Sequence, residues 1–408
     1  MSGAMADAGP AGLPPAPSRL GVVSAIGISQ ILAWGSSYYL LAVLAGPVAA
    51  DTGWPLSWVM GALSFGMLVS GLASPRIGHL IERHGGRPVL ATSAVLLALG
   101  LLMLGLAPGL PVFVAAWGII GLGMGAGLYD PAFSTLGRLY GEDARGAITQ
   151  VTLFGGFAST VCWPLSAFLV EWLGWRGTCL TYAAILLAVV LPLYLLGIPR
   201  EEARAAPASK GPGAPVGSVQ PGQRLAFLLL AAGFTLAAVV MTVVSVHLLT
   251  LLQARGLGLA AAVTLGTLIG PSQVGARVLE MLVGRRLHPI WSLLASTLLV
   301  AIGLGMLVGD MAVAAAGIIL YGAGSGIRSI ARGTVPLALF GREGYAILMG
   351  RMAMPVLVAQ AAAPAIGGWL LDGFGVTTTL AVLCAGAVLN ILLVVALLPI
   401  ALRRRPTG

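Results

Sequence analysis

The chain has 408 residues, of which only 9% are charged and 58% are apolar, whereas a soluble protein carries about 25% charged residues. A soluble globular fold is therefore excluded. The formal charge of +9 comes without the aromatic-studded basic patches of a nucleic-acid binder, so no nucleic-acid partner is expected. The three cysteines, Cys162, Cys179 and Cys384, are odd in number and sit inside apolar stretches. They give neither a disulfide framework nor a metal set, and no cofactor or metal is expected.

A membrane-spanning helix needs about 20 mostly apolar residues. Charged or Gly/Pro punctuation marks twelve such segments, at 20–45, 57–80, 88–108, 111–139, 146–172, 176–199, 224–252, 260–283, 289–309, 311–339, 345–371 and 375–400. The fold class read from this is an all-α membrane protein of twelve transmembrane helices. With both termini in the cytoplasm, every Lys and Arg except Arg176 and Arg255 falls in a cytoplasmic loop or the cytoplasmic half of a helix. The positive-inside rule fixes that orientation. Residues 1–19 carry no basic group before Arg19 and read as a disordered cytoplasmic tail, not a signal peptide.

In the first segment, Gln30, Trp34 and Ser37 share one face, with Tyr38 beside them. Amide and aromatic groups at mid-membrane depth suit a small polar substrate, and equally suit interhelical packing. Between the second and third segments lies Gly78-His79-Leu80-Ile81-Glu82-Arg83-His84-Gly85-Gly86-Arg87. A carboxylate on such a loop can sit at the positive N-terminal end of another helix, here the eleventh near Gly344, and act as a conformational latch. The latch residues are Gly78, Glu82, Arg83, Gly85 and Arg87; the alternative is a solvated turn. The spacing of His79, Glu82 and His84 matches no zinc pattern.

The fourth segment carries Gly121, Gly123, Gly125 and Gly127, spacings that let neighbouring backbones approach. Tyr129, Asp130 and Pro131 follow, and Asp130 lies about 15 Å from the helix end at 1.5 Å per residue. An ionised Asp there costs about 2.5 to 3.5 kcal/mol on insertion scales. It needs a partner or a wet cavity, as a proton carrier or salt-bridge gate, or else a local structural role.

Residues 200–223 are polar and Pro/Gly-rich and hold the single lysine, Lys210. They form a cytoplasmic linker between six-segment halves at 20–199 and 224–400, with a basic tail at 401–408. The halves repeat: eight of nineteen residues from Gly118 match those from Gly317. Two pseudo-symmetric six-helix bundles around a midplane site are the transporter arrangement.

In the second half, His247 lies near the outer end of the seventh segment, where an imidazole can take up protons or simply rest at the interface. The eighth carries Arg277 and Glu280, spaced for an i, i+3 ion pair. In the tenth, Tyr321, Ser325, Arg328 and Arg332 form one polar stripe that should line water or substrate. Arg328 is expected to face Asp130 across the pseudo-two-fold axis. Arg332, nearer the edge, and Arg351 in the eleventh segment can snorkel to the interface.

These residues carry a resemblance. The run from Gly78 to Arg87 resembles the loop signature of the major facilitator superfamily, with Glu82 for the usual Asp and Gly86 at one usual basic position. Within that superfamily the chain looks most like the monocarboxylate-porter and bacterial organic-anion group. The supporting residues are Asp51-Thr52-Gly53-Trp54, Gly123 to Pro131, Gly174-Trp175-Arg176 and Arg277. The resemblance implies that Arg277 binds a substrate carboxylate with coupled proton movement. A guanidinium suits that task because it stays charged and grips a carboxylate in two places. Gln273 stands where the group often has an acid, and its first-helix lysine is missing. Trp117 and Trp163 replace residues typical of proton antiporters.

The expected function is a secondary active transporter of a small organic anion, a carboxylate, moved with protons by alternating access. It is expected in a bacterial inner membrane as a monomer, and not as an enzyme. Substrate contacts are assigned to Arg277, Arg328, Gln30, Trp34, Tyr38, Tyr129 and Tyr321. Proton coupling is assigned to Asp130, His247 and Glu280. The alternative is an efflux antiporter for hydrophobic metabolites or drugs, in which Trp34, Tyr38, Tyr129 and Tyr321 matter most.

Overall fold

A computed structural model describes residues 18–201, 221–284, 287–309 and 313–403. The N-terminal tail to residue 17, linker residues 202–220 and the last arginines, Arg404 and Arg405, lie outside the described residues. Among the described residues the chain is all helix, with no strand. Among the described residues each of the twelve apolar segments is mostly helical, and eight helices are long and apolar enough to cross a membrane. Large apolar side chains such as Trp172, Leu196, Leu228 and Trp369 stay exposed on the outside, as a bilayer allows.

The first segment folds as α1 (Arg19–Gly35) and α2 (Leu41–Thr52), with Ser18 capping α1 by accepting from Gly21 N at 3.2 Å. Next come α3 (Leu56–His84), α4 (Gly86–Gly105), α5 (Leu110–Gly127), α6 (Tyr129–Tyr140) and α7 (Ala144–Gly156). After them run α8 (Ala158–Ile185) and α9 (Leu191–Gly197). The second half contains α10 (Arg224–Ala254), α11 (Leu259–Gly266), α12 (Ile269–Val283), α13 (Pro289–Val308), α14 (Ala314–Phe340) and α15 (Tyr345–Arg403). Both α8 and α15 hold a break, at Gly174 (φ 67°) and Gly375 (φ 77°), which turns the chain back between two spans. A positive φ at these corners favours glycine. Their spacing of about 200 residues recurs at Gly141 and Gly341, the positive-φ ends of α6 and α14, so the repeat is written in the backbone as well as in the sequence.

Helices α1–α9 pack on one another, as do α10–α15, and the two groups meet through α3 with α15, α6 with α14 and α15, and α7 with α12 and α14. Small residues make these meetings close. A Cβ on Gly78 would strike Ala346 O, and one on Gly350 would strike Ser74 O. The glycines of α5 serve packing inside the first group, Gly121 lying against Gly66 of α3. At the opposite ends of the molecule α2 packs on α3 and α8, while α11 packs on α10 and α14. The two groups are thus joined on the face that carries Glu201 and Arg403.

The two arginines outside the positive-inside pattern have their own work. Arg176 donates to Ala107 O at 3.1 Å, and Arg255 donates to Val308 O and Gly309 O at 3.0 and 2.5 Å. Each satisfies carbonyls left over at a helix C-terminus, where a cation is also favoured by the dipole. Beside Arg176, Trp175 Nε1 donates to Asp51 at 2.8 Å, which joins two of the short motifs singled out in the sequence.

Candidate functional site

The deepest polar residues collect where α1, α6 and α7 face α12 and α14. Proline at position 131 cannot donate, and the chain steps from α5 into α6 at Leu128, whose extended backbone ends the first helix. Asp130 thereby stands in the first turn of α6, where the helix dipole favours a carboxylate. Its partner is Arg332 of α14: Nε reaches Oδ1 at 2.8 Å and Nη2 reaches Oδ2 at 2.6 Å. The side chains are only 15% and 20% exposed, so this two-point ion pair between the groups is largely desolvated.

That geometry corrects two expectations. Asp130 pairs with Arg332, one turn beyond Arg328, and Arg332 therefore does not snorkel. The polar stripe of α14 is real, but the register between α6 and α14 is offset by a turn, about 5.4 Å.

Arg277 is 5% exposed and spans the groups. It donates to Gln273 Oε1 at 3.3 Å, Ser329 Oγ at 3.1 Å and Gly326 O at 3.4 Å, and across to Thr152 O of α7 at 3.2 Å. All four acceptors are neutral. Gly156 makes room for the guanidinium, since a Cβ there would meet Nη1. Tyr129 OH approaches the same Thr152 carbonyl at 3.5 Å. Glu280 does not pair with Arg277 as its spacing suggests. It binds Arg145 of α7 at 3.1 Å and accepts from Ser292 of α13 at 2.6 Å. Arg145 also donates to Leu287 O at 2.5 Å, a further bond between the groups.

Arg328 makes no hydrogen bond or ion pair with any described residue, and its Nε is buried. It lies within electrostatic reach of Tyr38, Tyr321 and Arg332. Tyr321 OH donates to Met241 O at 3.2 Å. On the facing group Gln30 is buried, donates to Gly127 O at 2.6 Å and accepts from Trp34 Nε1 at 3.1 Å. Trp34 meets Tyr38 and Tyr129 with ring centroids 5.4 and 5.0 Å apart, and Tyr129 stacks on Phe133 at 5.2 Å. The amide thus fixes the tilt of a tryptophan that centres an aromatic wall. His247 stands apart, bonded to Pro364 O at 3.1 Å and packed against Gly367.

On the linker face, Glu82 pairs with Arg138 of α6 at 3.2 Å, and Arg138 also binds Glu201 at 2.8 Å. Glu201 in turn accepts from Gly86 N at 3.2 Å, closing the N-terminus of α4. Gly85 makes the turn with φ 83°. Arg83 is exposed and Arg87 half-buried. The close approach to α15 is made by Gly78.

Outside the membrane-spanning helices, His288 caps α13 by accepting from Ile290 N at 3.2 Å. Burial, then the nearby Arg145 charge, lowers its pKa from the ordinary 6.5. Sequence reasoning missed Arg145, Arg138, Glu201 and Asn390. The first three are charges near segment ends that positive-inside and linker logic absorbs, and Asn390 is a single amide without periodicity. Among the described residues no group of acids, histidines and cysteines could hold a metal ion.

Two helix groups joined on one face bury charged residues at their contact, the polar centre of an otherwise apolar helical chain. The pattern of the Major Facilitator Superfamily matches residues 26–327, and the chain belongs to that superfamily. It is 30% identical to human monocarboxylate transporter 11 over 56% of this chain and 47% of that protein. It is 32% identical to monocarboxylate transporter 9 of Pongo abelii over 33% of this chain and 26% of that one. An uncharacterized 38 kDa protein of Thermoproteus tenax is 37% identical over 32% of this chain and 34% of its own. The matches thus span half or less of each of these relatives. Among solved structures, the human organic anion transporter MFSD10 aligns with TM-score 0.73 at 16% identity, covering 94% of this chain and all of that one. The Escherichia coli fucose:proton symporter aligns with TM-score 0.70 at 14% identity, covering 93% of this chain and 99% of that one. At these identities the structures speak for the fold.

Proposed function

We propose that this transporter carries a small organic anion, a carboxylate, together with protons, by rocking its two six-helix halves. It works in a bacterial inner membrane as a monomer, with both termini and the 200–223 linker in the cytoplasm, and it performs no catalysis. The observation that carries the reading is the charge imbalance at the centre. Asp130 is matched by Arg332 and Glu280 by Arg145. Arg277 and Arg328 are left without a carboxylate among the described residues. An uncompensated buried cation is costly, and a substrate carboxylate supplies the missing charge. The relatives that bear the name monocarboxylate transporter support this substrate class.

The joined face is then the cytoplasmic one, and the site opens outward. For the site to open inward, Asp130–Arg332, Arg145–Glu280 and Arg277–Thr152 must all part. Asp130, released from Arg332, becomes the group that takes the proton. Gly78, Glu82, Arg83, Gly85 and Arg87 form the latch region, with Arg138 and Glu201 holding it in shape. A purified sample should be thermally stabilised by pyruvate or benzoate, and Arg277→Ala should remove that stabilisation. Equal stabilisation of both proteins would refute the assignment.

The aromatic wall of Trp34, Tyr38, Tyr129 and Phe133 favours a second reading, export of hydrophobic metabolites or drugs. Competition by lipophilic cations, with none by carboxylates, would select it.

A further inference from the structure

Behind the face that Arg328 shares with Tyr38 and Tyr321, the second helix group contains a polar spot that the transport reading does not use. Asn390, on the last span of α15, is 6% exposed, and its Oδ1 has no hydrogen-bond partner. The buried Nε of Arg328 is likewise without one. Two small cavities, each of about 10 Å³, are both lined by Arg328 and Asn390. That is the room one water needs. The remaining walls come from α10, α13 and α15, among them Phe234, Ala237, Leu293, Val300 and Val394, and they are mostly apolar. On α10, Gly233 leaves space for the amide, since a Cβ there would lie 3.1 Å from Oδ1.

A guanidinium N–H and an amide carbonyl facing one water-sized cavity are complementary. The N–H donates to a water oxygen, and the water donates to Oδ1. We infer that one water bound between Arg328 and Asn390 makes Asn390 the positioning residue for Arg328. The bridge satisfies the inner edge of the guanidinium with a neutral partner. The side chain therefore stays charged, is held in one rotamer and keeps its outer edge free for an anion. A carboxylate at position 390 would do the opposite: it would neutralise Arg328 from behind. An amide is the side chain that orients the cation without consuming its charge. This inference rests on the anion reading for its consequence, but its geometry is testable without any substrate.

The test is a double-mutant cycle in thermal unfolding of the purified full chain, with wild type, Asn390→Asp, Arg328→Gln and the double variant. Asn390→Asp should raise the unfolding midpoint when Arg328 is present and lower it in the Arg328→Gln background, where the new carboxylate is buried alone. The same sign in both backgrounds overturns the inference. Should the double variant not fold, Asn390→Ser and Asn390→Leu decide. Pyruvate affinity should stay within about threefold for Ser, which keeps an oxygen for the water, and fall about tenfold for Leu. Equal affinities for Ser and Leu overturn it as well. Arg328→Gln binding pyruvate as tightly as wild type would instead remove the anion reading and leave the sign reversal standing.

Discussion

Asp130→Asn tests whether the ion pair across the two groups sets the conformational balance. The substitution keeps the shape of the side chain and removes its charge, which leaves Arg332 facing a neutral amide at 2.6 to 2.8 Å. Breaking a fully buried pair by deleting one partner costs about 3 to 5 kcal/mol. Here the side chains retain 15% and 20% exposure, so about 2 kcal/mol is a fair discounted figure. The pair exists only while α6 and α14 are together, so the loss falls on the joined state alone. A shift of 2 kcal/mol moves the equilibrium about thirtyfold. Spin labels on the exposed positions Arg83 and Glu343, which sit on the joined face in different groups, should report a new, longer distance population in the variant. The exchanged pair Asp130→Arg with Arg332→Asp should restore the short one. An unchanged distance distribution in Asp130→Asn would refute the reasoning.

Other outcomes follow from the same geometry. Arg277→Lys should lose at least about tenfold in carboxylate affinity, since a point charge cannot serve four acceptors spread over α7, α12 and α14; calorimetric titration with benzoate checks it. Gly78→Val should cost about 1 to 3 kcal/mol of the joined state through overpacking against Ala346, visible as a longer label distance between α3 and α15. His288 has a lowered pKa, so its contribution to stability is complete above pH 6.5 and is lost as pH falls below that value. Protonation removes the acceptor for Ile290 N and places a cation beside Arg145. The midpoint of His288→Asn, which keeps a neutral cap, should therefore depend less on pH between neutral and mildly acidic buffer than that of the wild type.

Much of the fold was open to reading because a bilayer imposes simple rules. Segment length, glycine corners and the placement of arginines located the helices, and the repeat from Gly118 to Gly317 reappears as paired positive-φ corners. Asp130 and the α14 stripe stood out because charge at that depth is costly. Their pairing was not legible. Periodicity gives the angle of a side chain around its own helix but not the slide of one helix along another, so Arg332 and not Arg328 met the carboxylate. Glu280 shows the same limit. Its spacing offered Arg277 one turn away, yet Arg145 and Ser292, distant in sequence, supply the bonds. Asn390 gave no signal at all, for one amide in an apolar run has no pattern, and its meaning depends on Arg328 across a cavity.

The most direct measurement is uptake of radiolabelled pyruvate, benzoate and succinate into proteoliposomes under an inside-alkaline pH gradient, for wild type, Arg277→Ala and Asp130→Asn. Gradient-driven uptake of a carboxylate that Arg277→Ala abolishes, and that Asp130→Asn frees from the gradient, is the predicted result. Intact reconstituted protein that moves none of these anions, or moves them equally well without Arg277, would contradict the account.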